Sequence, residues 1–273
     1  PKECGLPYLS KDPLDGLKPA TRAVPGTYCW GEDLYKKGVR PFSEVAEGRM
    51  TVKEFLAQMT DEEVAHLLGG QPNTGVANTF GWGNMPEYGI PNCMTADGPA
   101  GLRIAPECGV TTTAWPCATL LAATWNPNVV YQVGAAGGKE VKENNIAAWL
   151  TPALNIHRSP LCGRNFEYYS EDPLLAGVLA GAMVKGIQSQ GVAATVKHFA
   201  LNNKETDRKH SDSRVSERAA REIYLKAFEY VIKGAKPWAV MSSYNIINGC
   251  YASENKELLE DILRDEWGFD GMV

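Results

Sequence analysis

The sequence predicts an α/β fold on a parallel sheet, specifically a (β/α)8 TIM-type barrel that is incomplete at its C-terminal end. Short β-branched apolar runs alternate with helical patterns, as in successive βα units. Polar and ionisable side chains recur where those runs end, and in parallel α/β folds the carboxyl ends of strands face the ligand. The 273 residues are close to the about 250 such a barrel takes. An open doubly wound sheet is the alternative, but no glycine-rich phosphate loop follows any of the expected strands.

Residues 1–50 are rich in Pro, Gly and charge and read as an irregular linker or arm; 51–273 form the domain. Thr51 to Leu68 is a helix with a break near Thr60, where T-D-E-E makes a capping box, and Gly69-Gly70 stops it. Residues 71–91 are expected as loop, with a strand leading into 93–97. Asn126-Pro127 opens a helix to about Glu143, with proline at the favoured first position. Its G-A-A-G-G at 134–138 lies inside that helix and suits close helix packing better than nucleotide binding. Ala147 to Leu154 is a strand, Asp172-Pro173 caps a helix to about Gln190, and 192–199 is a buried strand. Arg214 to Lys233 is an amphipathic helix and Ala239 to Tyr244 a strand. Glu257 to Trp267 is a helix closed by Gly268, and Phe269 begins another strand.

The richest stretch is G-V-A-A-T-V-K-H-F-A-L-N-N-K-E-T-D-R at 191–208. Lys197-His198 falls where the strand ends, and the next loop carries Asn202, Asn203, Lys204, Glu205, Asp207 and Arg208. Asp97, Arg164 and the pair Met241 and Tyr244 stand at or after other strand ends. Singly, Asp97 before Gly-Pro also suits a turn, Arg164 an ion pair with Glu167 or Glu171, and Tyr244 a half-buried core position. Together they suit a hydroxyl-rich ring, because sugar hydroxyls need paired donors and acceptors.

The rest of the composition narrows the field. A net charge of −5 without a basic stripe argues against nucleic acid. The longest apolar candidate, 174–187, contains Lys185 and falls short of the roughly 20 residues of a membrane span, so no membrane partner is expected. The chain opens at Pro1 without a methionine or leader pattern and reads as processed or excised. The seven cysteines are scattered without C-x-x-C pairs, and the four histidines lack zinc-ligand spacing, so no metal or other cofactor is expected. Such cysteines read as small buried hydrophobes or free thiols, which favours a reducing, cytoplasmic compartment, or an anaerobic source, over a secreted disulfide scaffold.

Six motifs in unbroken order carry a resemblance. They are D-G-P-A-G-L-R (97–103), G-R-N-F-E-Y-Y-S-E-D-P (163–173), K-H-F-A-L-N-N-K-E-T-D-R (197–208), V-S-E-R-A-A-R-E-I-Y-L-K-A-F-E (215–229), M-S-S-Y-N-I-I-N-G (241–249) and E-W-G-F-D-G-M-V (266–273). Together they resemble glycoside hydrolase family 3, β-glucosidase type. The resemblance implies a barrel domain, cut short here, that begins a sugar pocket and an α/β sandwich domain of the same polypeptide that completes it. It implies that Asp97, Arg164, Lys197, His198 and Arg208 bind hydroxyls of the terminal sugar while Met241 and Tyr244 line the pocket. The substrates implied are β-glucosides or β-linked oligosaccharides, cleaved with retention. A β-xylosidase, a broader β-glycosidase or a non-catalytic sugar-binding homologue stays open. The A-L-N-N-K-E-T-D-R loop is of the glucosidase branch; the family's N-acetylhexosaminidases carry a P-G-H-G-type loop. The family's nucleophile is an aspartate directly after G-F-D-G-x-V, so it is expected just beyond Val273, and Asp270 belongs to the preceding turn. The acid/base glutamate is expected in the other domain, so this segment alone is expected to be inactive and its barrel unclosed.

Overall fold

A computed structural model describes residues 35–72, 76–104 and 106–273. Most of the expected arm, residues 1–34 with Cys4 and Cys29, lies outside them, as do 73–75 of the expected loop. The chain divides into two compact units, one from the residues up to Ala96 with 103–112 and 141–148, the other from 97–102, 113–140 and 149–273.

In the first unit, helices α1 (Ser43–Ala46), α2 (Val52–Leu56) and α3 (Asp61–His66) precede a hairpin. The break at Thr60 is as expected, and Thr51 and Thr60 each close a capping box, with Glu54 and Glu63. The expected loop over 71–91 is corrected: β1 (Trp82–Met85) pairs antiparallel with β2 (Ile90–Cys93). Gly83, Asn84, Pro91 and Asn92 hide these strands from a period-2 reading. Packing makes them, since Met85 and Tyr88 join Met50 and Phe55 in one apolar cluster, with Val39, Val45 and Ile90 against it. The short strand β3 (Thr95–Ala96) follows, and the Ala147 and Ala148 amides both donate to the Met94 carbonyl.

The second unit is a parallel α/β layer. A helix not foreseen, α4 (Ala118–Ala123), precedes α5 (Pro127–Glu143), whose bounds match expectation. The next strand is shorter than expected, because β4 (Ala148–Trp149) soon meets Pro152, which has no amide to donate. Pairing nevertheless continues: Thr195 and Lys197 donate to the carbonyls of Thr151 and Pro152, and Leu154 donates to Lys197. Asp172 caps α6 (Pro173–Gln188) through the Leu175 amide, and β5 (Ala193–Phe199) is buried almost throughout.

The expected helix from Arg214 starts instead at Glu217, after the cap Ser216; a π-turn at Ala220–Tyr224 precedes α7 (Lys226–Ala235). The residues before the cap go to a small sheet in which β6 (Asp212–Ser213) pairs with β8 (Ile246–Ile247), and β8 with β9 (Cys250–Tyr251). Two-residue strands leave no periodicity to read. Strand β7 (Ala239–Ser242) runs parallel to β5, and the Met272 carbonyl accepts from Val240, so the last segment begins pairing as foreseen. The helix expected from Glu257 is present as a π-helix, Glu257–Glu266. Cys93, Cys117, Cys162 and Cys250 are free thiols. Among the described residues, no helix is long and apolar enough to cross a membrane.

The glycines at 134–138 are for packing. A Cβ on Gly134 of α5 would stand 2.7 Å from the Met183 carbonyl oxygen of α6, and one on Gly186 would stand 2.3 Å from the Tyr131 oxygen. The two helix backbones are therefore in direct contact. Gly186→Ala should lower stability by about 1–3 kcal/mol despite alanine's helix preference, because the obstruction is backbone. Gly234→Ala in α7, where nothing lies within 4 Å of an added Cβ, should raise it by about 0.4–1 kcal/mol. Thermal unfolding of the two variants should show opposite signs of ΔTm.

Candidate functional site

Strand β5 ends in Lys197 and His198, both almost wholly buried, with only 2% and 4% of their surface exposed. A buried ammonium needs a counter-charge, and Asp97 supplies one: Nζ donates to Oδ1 at 2.6 Å. Asp97 immediately follows β3, so its ion pair joins the ends of two strands distant in sequence. Met241 of β7 is the register partner of Lys197.

His198 is the extra residue of a bulge, since the β5–β7 register shifts between Lys197 and Phe199. Its main chain is held by a side chain instead. The Asn155 amide oxygen accepts from the His198 N–H at 2.8 Å, and the Asn155 nitrogen donates to its carbonyl at 2.9 Å. The ring meets Arg164 Nη2 at 2.8 Å through Nε2 and the Tyr168 hydroxyl at 3.3 Å through Nδ1.

Arg164 lies in the loop after β4. Its Nε donates to Glu167, a carboxylate only 3% exposed, so the ion pair suggested by the sequence forms within the cluster. The Asn165 and Tyr168 carbonyls beside it both accept from the Thr119 hydroxyl at 3.0 Å, which fixes the turn. Glu205 reaches Arg164 Nη1 at 3.8 Å and Arg208 Nη1 at 3.2 Å. The Arg208 guanidinium in turn lies over the Tyr244 ring, 5.1 Å from its centroid. Tyr244 is 53% exposed, and so not the half-buried core residue the sequence also allowed.

All seven residues singled out from the sequence thus belong to one connected cluster. Asn155, Glu167, Tyr168 and Glu205 join them without having been singled out. Asn155 left a signal, a lone polar residue inside the apolar run 153–156; Glu167, Tyr168 and Glu205 lay inside the quoted motifs without a role. The arrangement combines three cations (Lys197, Arg164, Arg208) with three carboxylates (Asp97, Glu167, Glu205) and a buried imidazole. It is dense in directed donors and acceptors and carries no net charge. Among the described residues, no His, Cys, Asp and Glu side chains cluster in a way that could hold a metal ion.

Residues 84–273 match the Glycosyl hydrolase family 3 N terminal domain. The chain belongs to glycoside hydrolase family 3. It is 66% identical to β-glucosidase A of Butyrivibrio fibrisolvens over 86% of its length and 28% of that protein. It is 50% identical to an exo-α-(1→6)-L-arabinopyranosidase of Bifidobacterium longum over 79% of its length and 29% of that protein. Among solved structures, β-glucosidase 3B from Thermotoga neapolitana in complex with α-D-glucose superposes with a TM-score of 0.76 at 48% identity, covering 82% of this chain and 34% of that one. The chain therefore spans about a third or less of these proteins.

Burial pushes the Lys197 ammonium of this family 3 chain below the ordinary lysine range, and Asp97 restores only part of the shift. Burial works most strongly against the Arg164 charge too, but the Glu167 hydrogen bond and the charges of Glu167, Tyr168 and Glu205 together outweigh it and the net shift is upward. Burial, then the neighbouring Lys197, Arg164 and Arg208 charges, hold His198 well below its usual 6.5. A histidine with a depressed folded value stays neutral in the native state while the unfolded chain takes up a proton below 6.5. The unfolded state then binds more protons, so this contribution to stability is lost as pH falls through that value. Urea unfolding at pH 5 and pH 7 should show wild type losing up to about 1.4 kcal/mol per pH unit more than His198→Gln over the acid range.

Proposed function

We propose that this chain is the barrel part of a retaining, exo-acting β-glucosidase and that the cluster at Lys197 and Asp97 binds the terminal sugar. In this reading residues 51–273 are a (β/α)8 barrel domain, 1–50 an arm, and an α/β sandwich domain of the same polypeptide closes the pocket. The chain's share of its relatives, 28% of the Butyrivibrio protein, supports a larger whole.

The observation that carries the proposal is the buried Lys197–Asp97 pair within an electrically balanced cluster. Asp97, still 26% exposed on its side chain, keeps acceptor capacity for neighbouring hydroxyls. Arg164, Lys197, His198 and Arg208 bind the sugar's hydroxyls. Met241 and the exposed ring of Tyr244 border the sugar on the β7 side. As the sugar becomes oxocarbenium-like, its hydroxyls become better donors and the charge-assisted bond to Asp97 strengthens. Retaining hydrolysis needs an attacking carboxylate and an acid/base carboxyl about 5–5.5 Å apart. In this reading Asp97 orients hydroxyls, and both reacting carboxyl groups are supplied by other parts of the protein.

The Bifidobacterium relative named as an arabinopyranosidase favours a second reading, in which the terminal sugar is a pentopyranose without the hydroxymethyl arm. Rates of the full-length polypeptide on aryl β-D-glucoside, β-D-xyloside and α-L-arabinopyranoside separate the two: the glucoside should give the highest kcat/KM. If none is cleaved, the enzymatic reading fails. In the same protein, Asp97→Asn should keep the fold and cut kcat/KM at least about 100-fold. Steady-state kinetics within tenfold of wild type would remove Asp97 from the sugar site.

A further inference from the structure

We infer that Asn155 is a positioning residue for the sugar site: its side-chain amide holds the bulge at His198, and that bulge lets two consecutive side chains of β5, Lys197 and His198, face the sugar together. The inference deepens the sugar-site reading above and rests on it only for the claim that these two side chains meet substrate.

Side chains of a regular strand alternate between faces, so residues 197 and 199 would share one face and 198 would take the other. The structure breaks this rule. Lys197 reaches Asp97, and the next side chain, His198, reaches Arg164 and Tyr168 of the same cluster. Phe199 instead turns to the helices, its ring edge-on to Phe228 of α7 at 5.1 Å and to Trp267 at 5.8 Å. One inserted residue accounts for the change: Lys197 pairs with Met241 and Phe199 with Ser242, leaving His198 without a partner on β7. In an unbulged strand the imidazole would lie on the helix side and a phenyl ring would stand among the sugar ligands.

Such a bulge has to be held, because it takes ladder partners from a residue that is only 4% exposed. An unpaired N–H and an unpaired carbonyl at that depth would both favour a slip back into register. Asn155, itself buried, supplies both partners from one amide: Oδ1 accepts from the His198 N–H at 2.8 Å and Nδ2 donates to the His198 carbonyl at 2.9 Å. Main-chain pairing resumes on either side, with the Leu154 amide on the Lys197 carbonyl and the Ser243 amide on the Phe199 carbonyl. The side-chain hold is thus confined to the one inserted residue. A carboxamide suits the task because it carries a donor and an acceptor side by side. Ionised aspartate has the same shape but would set a second oxygen against the His198 carbonyl, and alanine offers neither group.

Kinetics of the full-length polypeptide on an aryl β-D-glucoside, well below its unfolding temperature, test this in a double-mutant cycle. Asn155→Ala should lower kcat/KM by about thirtyfold or more in the wild-type background, and by less than about fivefold in a His198→Ala background. A merely structural asparagine would lower Tm alone, or lower kcat/KM equally in both backgrounds, and either result overturns the inference. Asn155→Asp, which leaves no cavity, should repeat the pattern and carries the cycle if the alanine variant does not fold. Amide hydrogen exchange of the wild type, resolved to single residues by mass spectrometry, needs neither activity nor a variant. The His198 N–H should be protected as strongly as the Lys197 N–H, which the Pro152 carbonyl holds at 3.0 Å. Fast exchange at His198 would show that Asn155 does not hold the bulge. If His198→Ala alone is harmless, it is the sugar-site reading that fails, and the exchange result still decides the clamp.

Discussion

An ammonium group carried to the end of a buried strand must be neutralised where it lies, and the local structure is arranged around doing so. An unpaired buried charge costs several kcal/mol even after relaxation. Lys197 sits at that depth because β5 is covered on both faces, Val196 and Phe199 being fully buried around it. Asp97 meets the requirement, and the same demand repeats outward: Arg164 needs Glu167, and Arg208 needs Glu205. The Arg164–Glu167 and Arg208–Glu205 pairs close within their own loops, while Asp97–Lys197 and the longer Arg164–Glu205 contact join different segments. A balanced set of ions offers strong directed donors and acceptors without a net field that would favour an anion or a cation.

Precise aim requires a rigid base, and the chain provides it by unlike means on the two sides of the strand. On the helix side, α5 and α6 touch backbone to backbone through Gly134 and Gly186. On the site side, the β5 bulge takes His198 out of register with β7, and the Asn155 side chain stands in for the lost strand neighbour. Donors and acceptors fixed before the ligand arrives cost no reorganisation when charge develops, which is the condition for electrostatic stabilisation of a transition state.

What could be read in the sequence follows from how local each signal is. The Thr60 break, Pro127 and Asp172-Pro173 are written in neighbouring residues, and the helices start where those residues say. Strand β5 was legible because the short run Val192–Val196 is largely apolar with β-branched residues and follows a glycine. The hairpin of β1 and β2 was not, since its strands contain glycine, asparagine and proline and exist because Met85 and Tyr88 pack on α2. The small sheet of β6, β8 and β9 was invisible for a similar reason, each strand being two residues long. Within the site, Asp97, Arg164, Lys197, His198, Arg208, Met241 and Tyr244 were legible from motifs at strand ends. The clamp by Asn155 and the bridge by Glu205 were not, because a side chain's partner is a property of three-dimensional proximity that no spacing encodes.

Binding a sugar and attacking it set opposite demands on a carboxylate, and this decides what the cluster can do. A carboxylate that orients hydroxyls works best when a fixed cation holds it in place and ionised, as Lys197 does for Asp97. One that attacks an anomeric carbon must present an oxygen lone pair opposite the bond being broken, and burial against a cation takes that access away. Glu167 is the extreme case, buried against Arg164 with almost no surface to present. On the proposed reading Asp97 is of the orienting kind, and other parts of the protein supply the reacting pair. A pocket shared in this way separates the two tasks in space: one wall holds the ring still with paired charges, and the opposing groups are left free to change protonation and bonding as the reaction proceeds.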